Sequence, residues 1–274
     1  MTIIPAFLSL LSLFGPVVSH EHYGTTLLPR SDDTTPGASF SYVGMTGPLN
    51  WYSLDRQANA LCATGRNQSP TNLASDTNLS SSCSIVLDIP NAPEGALLEN
   101  LGVAVDVFTN GTLTQRNVTS ELVQFHFHTP SEHSVNGMHY PMEVHFVFQA
   151  SDASVSVVGF FIDFGELDTL LEPIVAGLPD IPSHGNTTTT GPLDFSSILD
   201  HFCSNSIYQY SGSLTTPPCS EGVSWIISSE PIRIDVPSYD AFRQLLGFNA
   251  RYIQNAIGEI NLLENIARQL QGSD

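Results

Sequence analysis

Gln124-Phe125-His126-Phe127-His128, with Glu143-Val144-His145 further along, is the sequence that decides the fold of this chain. Side chains alternate across a β-strand, so His126 and His128 share one face while the two phenylalanines point the other way, toward a core. A neighbouring strand that carries His145 would supply a third ring nitrogen. Three imidazoles leave one tetrahedral position of a zinc ion open, which is typical of catalytic zinc sites. The pattern therefore predicts a zinc enzyme whose metal site lies on a β-hairpin.

Two polar residues on the same strands are placed to support this site. Gln124 lies two residues before His126, and Glu143 lies two residues before His145, so each shares a strand face with a candidate ligand. Metal-binding histidines usually donate their other ring nitrogen to such an acceptor. We expect Gln124 and Glu143 to orient the two imidazoles; the alternative is that they are solvent-facing strand residues.

The rest of the chain has the pattern of a mainly β protein of the α+β class. Short apolar runs alternate with turn residues and predict strands, whereas helical signals are fewer. A β-rich chain of 274 residues without an apparent internal repeat is expected to form one domain. The predicted strands are 84–89, 102–108, 121–128, 144–148, 155–162 and 223–227, and the predicted helices are 168–177, 194–201 and 239–246.

The amino-terminal residues have features of an export signal. Residues 1–19 contain an apolar run and a small-residue cleavage site, which predict a signal peptide; a buried first strand or helix is the alternative. Residues 20–37 predict a flexible lead-in, followed by a domain over 38–262 and a polar tail over 263–274. No later segment is apolar enough to span a membrane. Candidate glycosylation triplets agree with a secreted protein, and they begin at Asn67, Asn78, Asn110, Asn117 and Asn186.

The charge balance limits the possible partners. The formal net charge is −19, and all of the few basic residues are arginine. This balance excludes a nucleic-acid footprint and argues against binding to an anionic membrane surface. We interpret the acidity as a solvated surface; the alternative is a specialisation for an acidic environment.

Four cysteines allow three disulfide pairings, and the sequence does not choose among them. Our preferred pair is Cys62 with Cys219, because it would hold the Thr215-to-Pro218 loop against the segment before Gln68. Cys83 and Cys203 then remain for each other. They could instead stay free or join two chains.

Four ordered motifs resemble those of the α-class carbonic anhydrases. They are Asn67-Gln68-Ser69-Pro70, the stretch from Gln124 to His133 that ends in Ser131-Glu132-His133, Glu143-Val144-His145, and Gly212-Ser213-Leu214-Thr215-Thr216-Pro217-Pro218. The resemblance extends from about residue 40 to residue 251. It implies a large, twisted, mostly antiparallel central sheet of about ten strands, peripheral helices, and a conical cavity that reaches the metal.

The resemblance also implies an activity, the reversible hydration of carbon dioxide to bicarbonate and a proton by zinc-bound hydroxide. His126, His128 and His145 would hold Zn²⁺. Thr215 would accept a hydrogen bond from the hydroxide and donate one to Glu132. Sulfonamides are the inhibitors that the resemblance implies. The matching substrate-pocket positions are Val147, Val157, Leu214, Thr216, Val223 and Trp225, those near the entrance are Tyr42 and Trp51, and Asn249 and Arg251 match a structural pair.

One position departs from the family. Fast relatives carry a proton-accepting histidine where this chain has Val103, and no histidine occurs anywhere from 99 to 108. Valine cannot relay a proton, because it has no titratable group. We therefore expect proton release to external buffer and weakened proton shuttling. The candidate substitutes are His22, His139, His184 and His201, none of which the sequence places at the cavity.

Two other interpretations compete with this one. A cupin-type metal oxidase would use His126, His128 and Glu132, but it leaves the Gln-Ser-Pro and Ser-Leu-Thr-Thr-Pro-Pro motifs unexplained. A carbonic-anhydrase-like extracellular binding module without catalysis is the second. Its known examples typically lack a zinc ligand, and here all three histidines are present. The sequence does not decide between a monomer and a dimer.

Overall fold

The computed structural model describes residues 40–74 and 79–272. The predicted signal peptide at 1–19, the lead-in at 20–37 and the triplet at Asn78 lie outside these residues. The helices are α1 (Trp51–Leu54), α2 (Ala60–Thr64), α3 (Leu171–Gly177), α4 (Ser196–Ser204), α5 (Val236–Leu246) and α6 (Leu262–Leu270). The strands are β1 (Asn72–Leu73), β2 (Leu79–Ser81), β3 (Ile85–Asp88), β4 (Leu97–Asn100), β5 (Val105–Phe108), β6 (Thr112–Gln115), β7 (Val118–His128), β8 (Ser134–Val135), β9 (Met138–His139), β10 (Met142–Ala150), β11 (Val155–Phe164), β12 (Thr187–Thr189), β13 (Ser206–Ser213), β14 (Glu221–Ser228) and β15 (Ile232–Ile234).

A central sheet of twelve strands dominates the structure. Its main path runs β12-β4-β5-β7-β10-β11-β14-β13-β2, with β6 beside β7, β3 beside β6, and β15 beside β11. Most neighbours are antiparallel, and the exceptions are the parallel pairs of β11 with β14 and with β15. The prediction of a large, mostly antiparallel sheet is confirmed, with twelve strands where about ten were expected. A separate small sheet joins β1, β8 and β9.

The predicted elements are all present, within a few residues at their ends. The six predicted strands correspond to β3, β5, β7, β10, β11 and β14, and the three predicted helices to α3, α4 and α5. The elements that the sequence pattern missed are mostly of two to five residues, too short for a hydrophobic period to repeat. Among the described residues, no helix has the length and apolarity needed to cross a membrane.

The alternation of β7 and β10 separates a core face from a polar face. Phe125, Phe127 and Phe146 are fully buried on the core face, where the rings of Phe125 and Phe146 stack at 4.6 Å. Helices α3, α4 and α5 cover this face and contribute their own apolar residues, among them Ile174, Ile198, Phe202 and Phe242. The histidines of the two strands therefore point to the opposite face of the sheet.

The cysteines behave differently from one another. Cys62 and Cys219 form a disulfide, which confirms the preferred pairing. Both are fully buried in a cluster that includes Tyr42 and Trp51, whose rings lie 5.7 Å apart. Cys83 and Cys203 are exposed and are not bonded to each other in the structure; the sequence left them for each other, with free cysteines or a bridge between two chains as the alternatives.

The segment predicted as a polar carboxyl-terminal tail is largely helical. Helix α6 occupies most of it and begins after Asn261, whose side chain accepts a hydrogen bond from the backbone N–H of Leu263. This cap satisfies one of the free N–H groups at the helix start. Arg268 pairs with Glu264 one turn earlier on the exposed surface.

Candidate metal centre

The three predicted ligands lie together on two paired strands. His126 and His128 belong to β7 and His145 belongs to β10, where it is directly opposite His126 in the antiparallel register. The ring centroids are 4.6 to 5.4 Å apart, and one nitrogen of each ring lies within 4.8 Å of the other two. All three side chains are buried. The strand spacing therefore produces a triangle of imidazoles, as the sequence predicted.

Each of the three imidazoles donates one ring N–H to a fixed acceptor. His126 Nδ1 donates to Gln124 Oε1 at 2.9 Å, and His145 Nε2 donates to Glu143 Oε1 at 2.8 Å. His128 Nδ1 donates to the backbone oxygen of Asn249 at 2.8 Å. The sequence interpretation treated Asn249 as purely structural, since nothing in a sequence reveals that a carbonyl 121 residues away will face a ring nitrogen.

The remaining ring nitrogens face one another and suit a metal ion. Nε2 of His128 is buried and has no hydrogen-bond partner among the described residues. An unpaired buried nitrogen is unfavourable unless something else binds it. Catalytic zinc sites commonly use three neutral imidazole nitrogens, with the other nitrogen of each ring hydrogen-bonded to a protein group. The residues present therefore fit Zn²⁺.

A second group of possible ligands is already satisfied internally. His133, Glu143 and His145 also bring ligand atoms within 4.8 Å of one another. However, His133 Nδ1 donates to Glu143 Oε1 at 2.7 Å, and the backbone N–H of His133 donates to Glu143 Oε2 at 2.8 Å. Nε2 of His133 lies 2.7 Å from Oη of Tyr210, which donates to Ser69 Oγ. These contacts form a supporting network, and its only sequence signal was the adjacency of His133 to Glu132.

The predicted orienting pair is buried beside the three histidines. Oε1 of Glu132 accepts a hydrogen bond from the backbone N–H of Arg251 at 2.8 Å. Its Oε2 is buried, has no hydrogen-bond partner among residues 40–74 and 79–272, and lies 3.6 Å from Nε2 of His128. Thr215 is also buried. Within the described part of the chain, the expected hydrogen bond from Thr215 to Glu132 is not formed, so an acceptor remains available at Oε2.

The electrostatics favour neutral imidazoles facing the site. Burial, followed by the neighbouring rings of His128 and His145, lowers the pKa of His126 well below its usual range. Burial also lowers the pKa of His128, against the opposing influence of Glu132. Burial alone would raise the pKa of Glu143, but His133 and His145 outweigh it and hold that pKa well below its usual range. Neutral imidazole is the form that binds a metal.

One buried carboxyl beside the site was not predicted. Asp106 lies on β5 directly opposite His126, and Glu99 on β4 lies directly opposite Asp106. Both oxygens of Asp106 are buried without a hydrogen-bond partner among the described residues. Burial, with a contribution from Glu99, raises the pKa of Asp106 well above its usual range. The alternation of Val105, Asp106 and Val107 is the sequence signal that could have placed Asp106 on the histidine face.

Apolar side chains line one side of the three histidines. The rings of Trp225 and His145 lie 4.8 Å apart, and Val147, Val157 and Trp225 are successive cross-strand neighbours on β10, β11 and β14. Val223 belongs to the same buried cluster, and Leu214 packs against it. Thr216 is buried as well. The predicted pocket positions thus include one contiguous apolar cluster.

Val103 does not belong to the apolar cluster around Trp225. It packs against the residues around Trp51, and its backbone oxygen accepts a hydrogen bond from Nδ2 of Asn249. Beside it, a Cβ built on Gly102 would lie 3.3 Å from the Cβ and 3.4 Å from Nδ1 of His184. His139 and His201 are bound to backbone oxygens of Ser131 and Glu230. Of the three candidates in the described part of the chain, His184 is the one that lies beside Gly102, the chain neighbour of Val103; His22 lies outside the described residues.

Comparisons with known proteins agree with this geometry. A family model described as eukaryotic-type carbonic anhydrase matches residues 46–273. The structure of the fungal α-carbonic anhydrase from Aspergillus oryzae is 49% identical, with a TM-score of 0.81, and the match covers 84% of this chain and 99% of that one. The α-carbonic anhydrase from Thermovibrio ammonificans, solved with the inhibitor sulfanilamide, is 33% identical with a TM-score of 0.72 and coverage of 81% and 97%.

A curated relative gives the same result at the level of sequence. The carbonic anhydrase of Nostoc sp. is 34% identical over 249 residues, which cover 89% of this chain and 92% of that protein. The family match, the twelve-stranded sheet and the triangle of buried imidazoles therefore lead to one conclusion: the chain belongs to the α-carbonic anhydrases and is an enzyme of that family.

Proposed function

We propose that this chain catalyses the reversible hydration of carbon dioxide with a zinc ion held by His126, His128 and His145. The observation that carries the proposal is a triangle of three rings in which one nitrogen of each ring is hydrogen-bonded to a fixed acceptor, while Nε2 of His128 is buried without a partner among the described residues. Bound zinc would supply a Lewis acid that lowers the pKa of a water molecule from about 15.7 to about 7. Gln124, Asn249 and Glu143 keep the rings in the orientation and protonation that binding requires.

Thr215 and Glu132 orient the nucleophile in this proposal. The hydroxyl of Thr215 can accept a hydrogen bond from hydroxide only if it donates its own proton elsewhere. Oε2 of Glu132 is a buried acceptor without a partner, and the Arg251 N–H holds the other oxygen of the same carboxylate. With zinc bound, Thr215 and Glu132 would fix the orientation of the nucleophile toward the substrate carbon, and this positioning would contribute to the rate.

The apolar cluster around Trp225 suits carbon dioxide. The substrate is small and lacks a net charge, so an apolar wall beside the three histidines can hold it. The wall consists of Val147, Val157, Val223 and Trp225, whose side chains would not accept a hydrogen bond from the hydroxide. Bicarbonate is charged and polar, and it gains nothing from that wall. By similarity to the relative solved with sulfanilamide, a sulfonamide is also expected to bind at this site.

The first test measures zinc and activity together. The purified full-length chain should contain one zinc ion and hydrate carbon dioxide in a stopped-flow assay; a chelator should abolish activity and added zinc restore it. H128N should lose zinc and activity, whereas H139N, which changes an exposed histidine, should keep both. Q124A should bind zinc about 10- to 100-fold more weakly. A protein with zinc but without hydratase activity would instead be a binding module.

The second test isolates the orienting pair. T215V keeps the shape of the side chain but removes the hydroxyl, so we expect kcat/KM to fall about 100-fold while zinc content is unchanged. E132Q removes the negative charge of the acceptor, and its kcat/KM should fall as well. The matched control is T189V on β12, which changes an exposed strand threonine and should have no effect. Wild-type turnover by T215V would contradict the assigned role.

The third test concerns how the product proton leaves. Val103 has no titratable group, so we propose that protons pass to external buffer and that hydration speeds up with imidazole concentration. V103H should raise the rate at low buffer concentration and weaken this dependence. H184Q tests whether His184, beside Gly102, already accepts the proton in place of the missing shuttle histidine. If it does, the hydration rate of H184Q at low buffer concentration should be lower than that of the wild type. A wild-type rate that stays flat across imidazole concentrations would rule out the proposal, and a lowered H184Q rate would then identify His184 as the internal proton acceptor.

We also propose that the chain is exported and glycosylated. The Cys62–Cys219 disulfide and the exposure of Asn110, Asn117 and Asn186 support this proposal. Asn67 is a poorer acceptor, because its side chain donates to Glu221. Expression in a eukaryotic host should give a secreted product whose sequence begins near His20 and whose mass falls on glycosidase treatment. A product retained in the cells with an intact amino terminus would contradict export.

A further inference from the structure

The two unpaired cysteines lie on segments that the sheet brings side by side. Strand β2 pairs antiparallel with β13, and Ser81 is the partner of Ser206 in this register. In an antiparallel pair, residues that follow Ser81 run alongside residues that precede Ser206. Cys83 comes two residues after Ser81, and Cys203 comes three residues before Ser206. The register therefore brings their backbones close to each other.

A direct contact supports this placement. Ser82, which is buried, donates a hydrogen bond from its hydroxyl to the backbone oxygen of Cys203 at 3.4 Å. Cys83 follows Ser82 in a single turn of 3₁₀ helix, Ser82–Ser84, and Cys203 lies in the last turn of α4. Both cysteines are exposed, so an oxidant can reach either sulfur.

We propose that Cys83 and Cys203 form a second intramolecular disulfide when the protein meets an oxidised thiol such as glutathione disulfide. The bond would join the edge strand β2, at the end of the sheet path, to helix α4. It would also close a long loop that contains the metal-binding strands β7 and β10. Cross-links across long loops stabilise chiefly by restricting the unfolded chain.

The chemistry is two successive thiol–disulfide exchanges. The thiolate of one cysteine attacks a sulfur of glutathione disulfide, forms a mixed disulfide and releases one glutathione thiolate. The thiolate of the other cysteine then attacks the protein sulfur of that mixed disulfide and releases the second glutathione. The protein loses two protons and two electrons, and one glutathione disulfide becomes two glutathione thiols.

The experiment counts thiols in the full chain after incubation with glutathione disulfide. Denaturation without reductant, alkylation and peptide mass spectrometry should show no free thiol and a linked peptide containing Cys83 and Cys203. The disulfide of Cys62 with Cys219 should be present before and after, and serves as the internal control. In a thermal scan, oxidation should raise the Tm by about 5 to 10 °C.

Matched variants separate the possible outcomes. C83S and C203S should each leave one free thiol, and the double variant C83S/C203S should show no change in Tm on oxidation while its hydration activity stays that of wild type. Two free thiols after oxidation, stable glutathione adducts on both cysteines, or a disulfide-linked dimer on a non-reducing gel would each overturn the proposal. Failure here would leave the proposed hydratase activity untouched, since neither cysteine belongs to the metal centre.

Discussion

The antiparallel register between β7 and β10 is the constraint on which the rest of the structure depends. It places His145 opposite His126 and Phe146 opposite Phe125, so that one pairing creates both a metal-binding face and an aromatic core. A slip of one residue would turn the phenylalanines toward the site and bury the histidines under the helices. The packing of Phe125 against Phe146 and Phe127 on the core face therefore helps to fix the position of the imidazoles on the opposite face of the sheet.

Burying so many polar groups requires nearly complete pairing. Leaving one buried donor or acceptor unpaired costs about 1–3 kcal/mol, and around His145 and His133 this cost is avoided through hydrogen bonds to Glu143. Its two oxygens accept from His145 and from the ring and backbone of His133, and that ring continues to Tyr210 and Ser69. Among the described residues, the buried atoms left without a partner include Nε2 of His128 and Oε2 of Glu132 at the metal centre and both carboxyl oxygens of Asp106, opposite His126; the others belong to Asn59, Gln68, Gln124, Arg251 and Tyr252. Of these atoms, Nε2 of His128 is the one that a metal ion bound by the three histidines would satisfy directly.

Local patterns in the sequence predicted the parts of the site that depend on local geometry. The period of two placed three histidines, Gln124 and Glu143 on one face, because strand alternation holds without knowledge of the fold. The roles of Thr215 and the residues around Trp225 came only from the family resemblance, since β11 and β14 are far apart in the chain. The carbonyl of Asn249 and the contact between His133 and Tyr210 were missed for the same reason. Such contacts exist only after the whole sheet is assembled.

The site is divided between short-range and long-range pairing. The three imidazoles come from one hairpin, whereas Thr215 follows β13 and the Trp225 wall stands on β14, which reaches β11 by a parallel pairing across some seventy residues of chain. Long-range parallel pairing is the slow, entropically expensive part of folding. The residues that would bind the metal and those that would orient the reaction therefore depend on different strand pairings of the same sheet. Local opening of the pairing between β13 and β14 would displace Thr215 and Trp225 and lower activity, while the pairing of β7 with β10 would still hold the three histidines together.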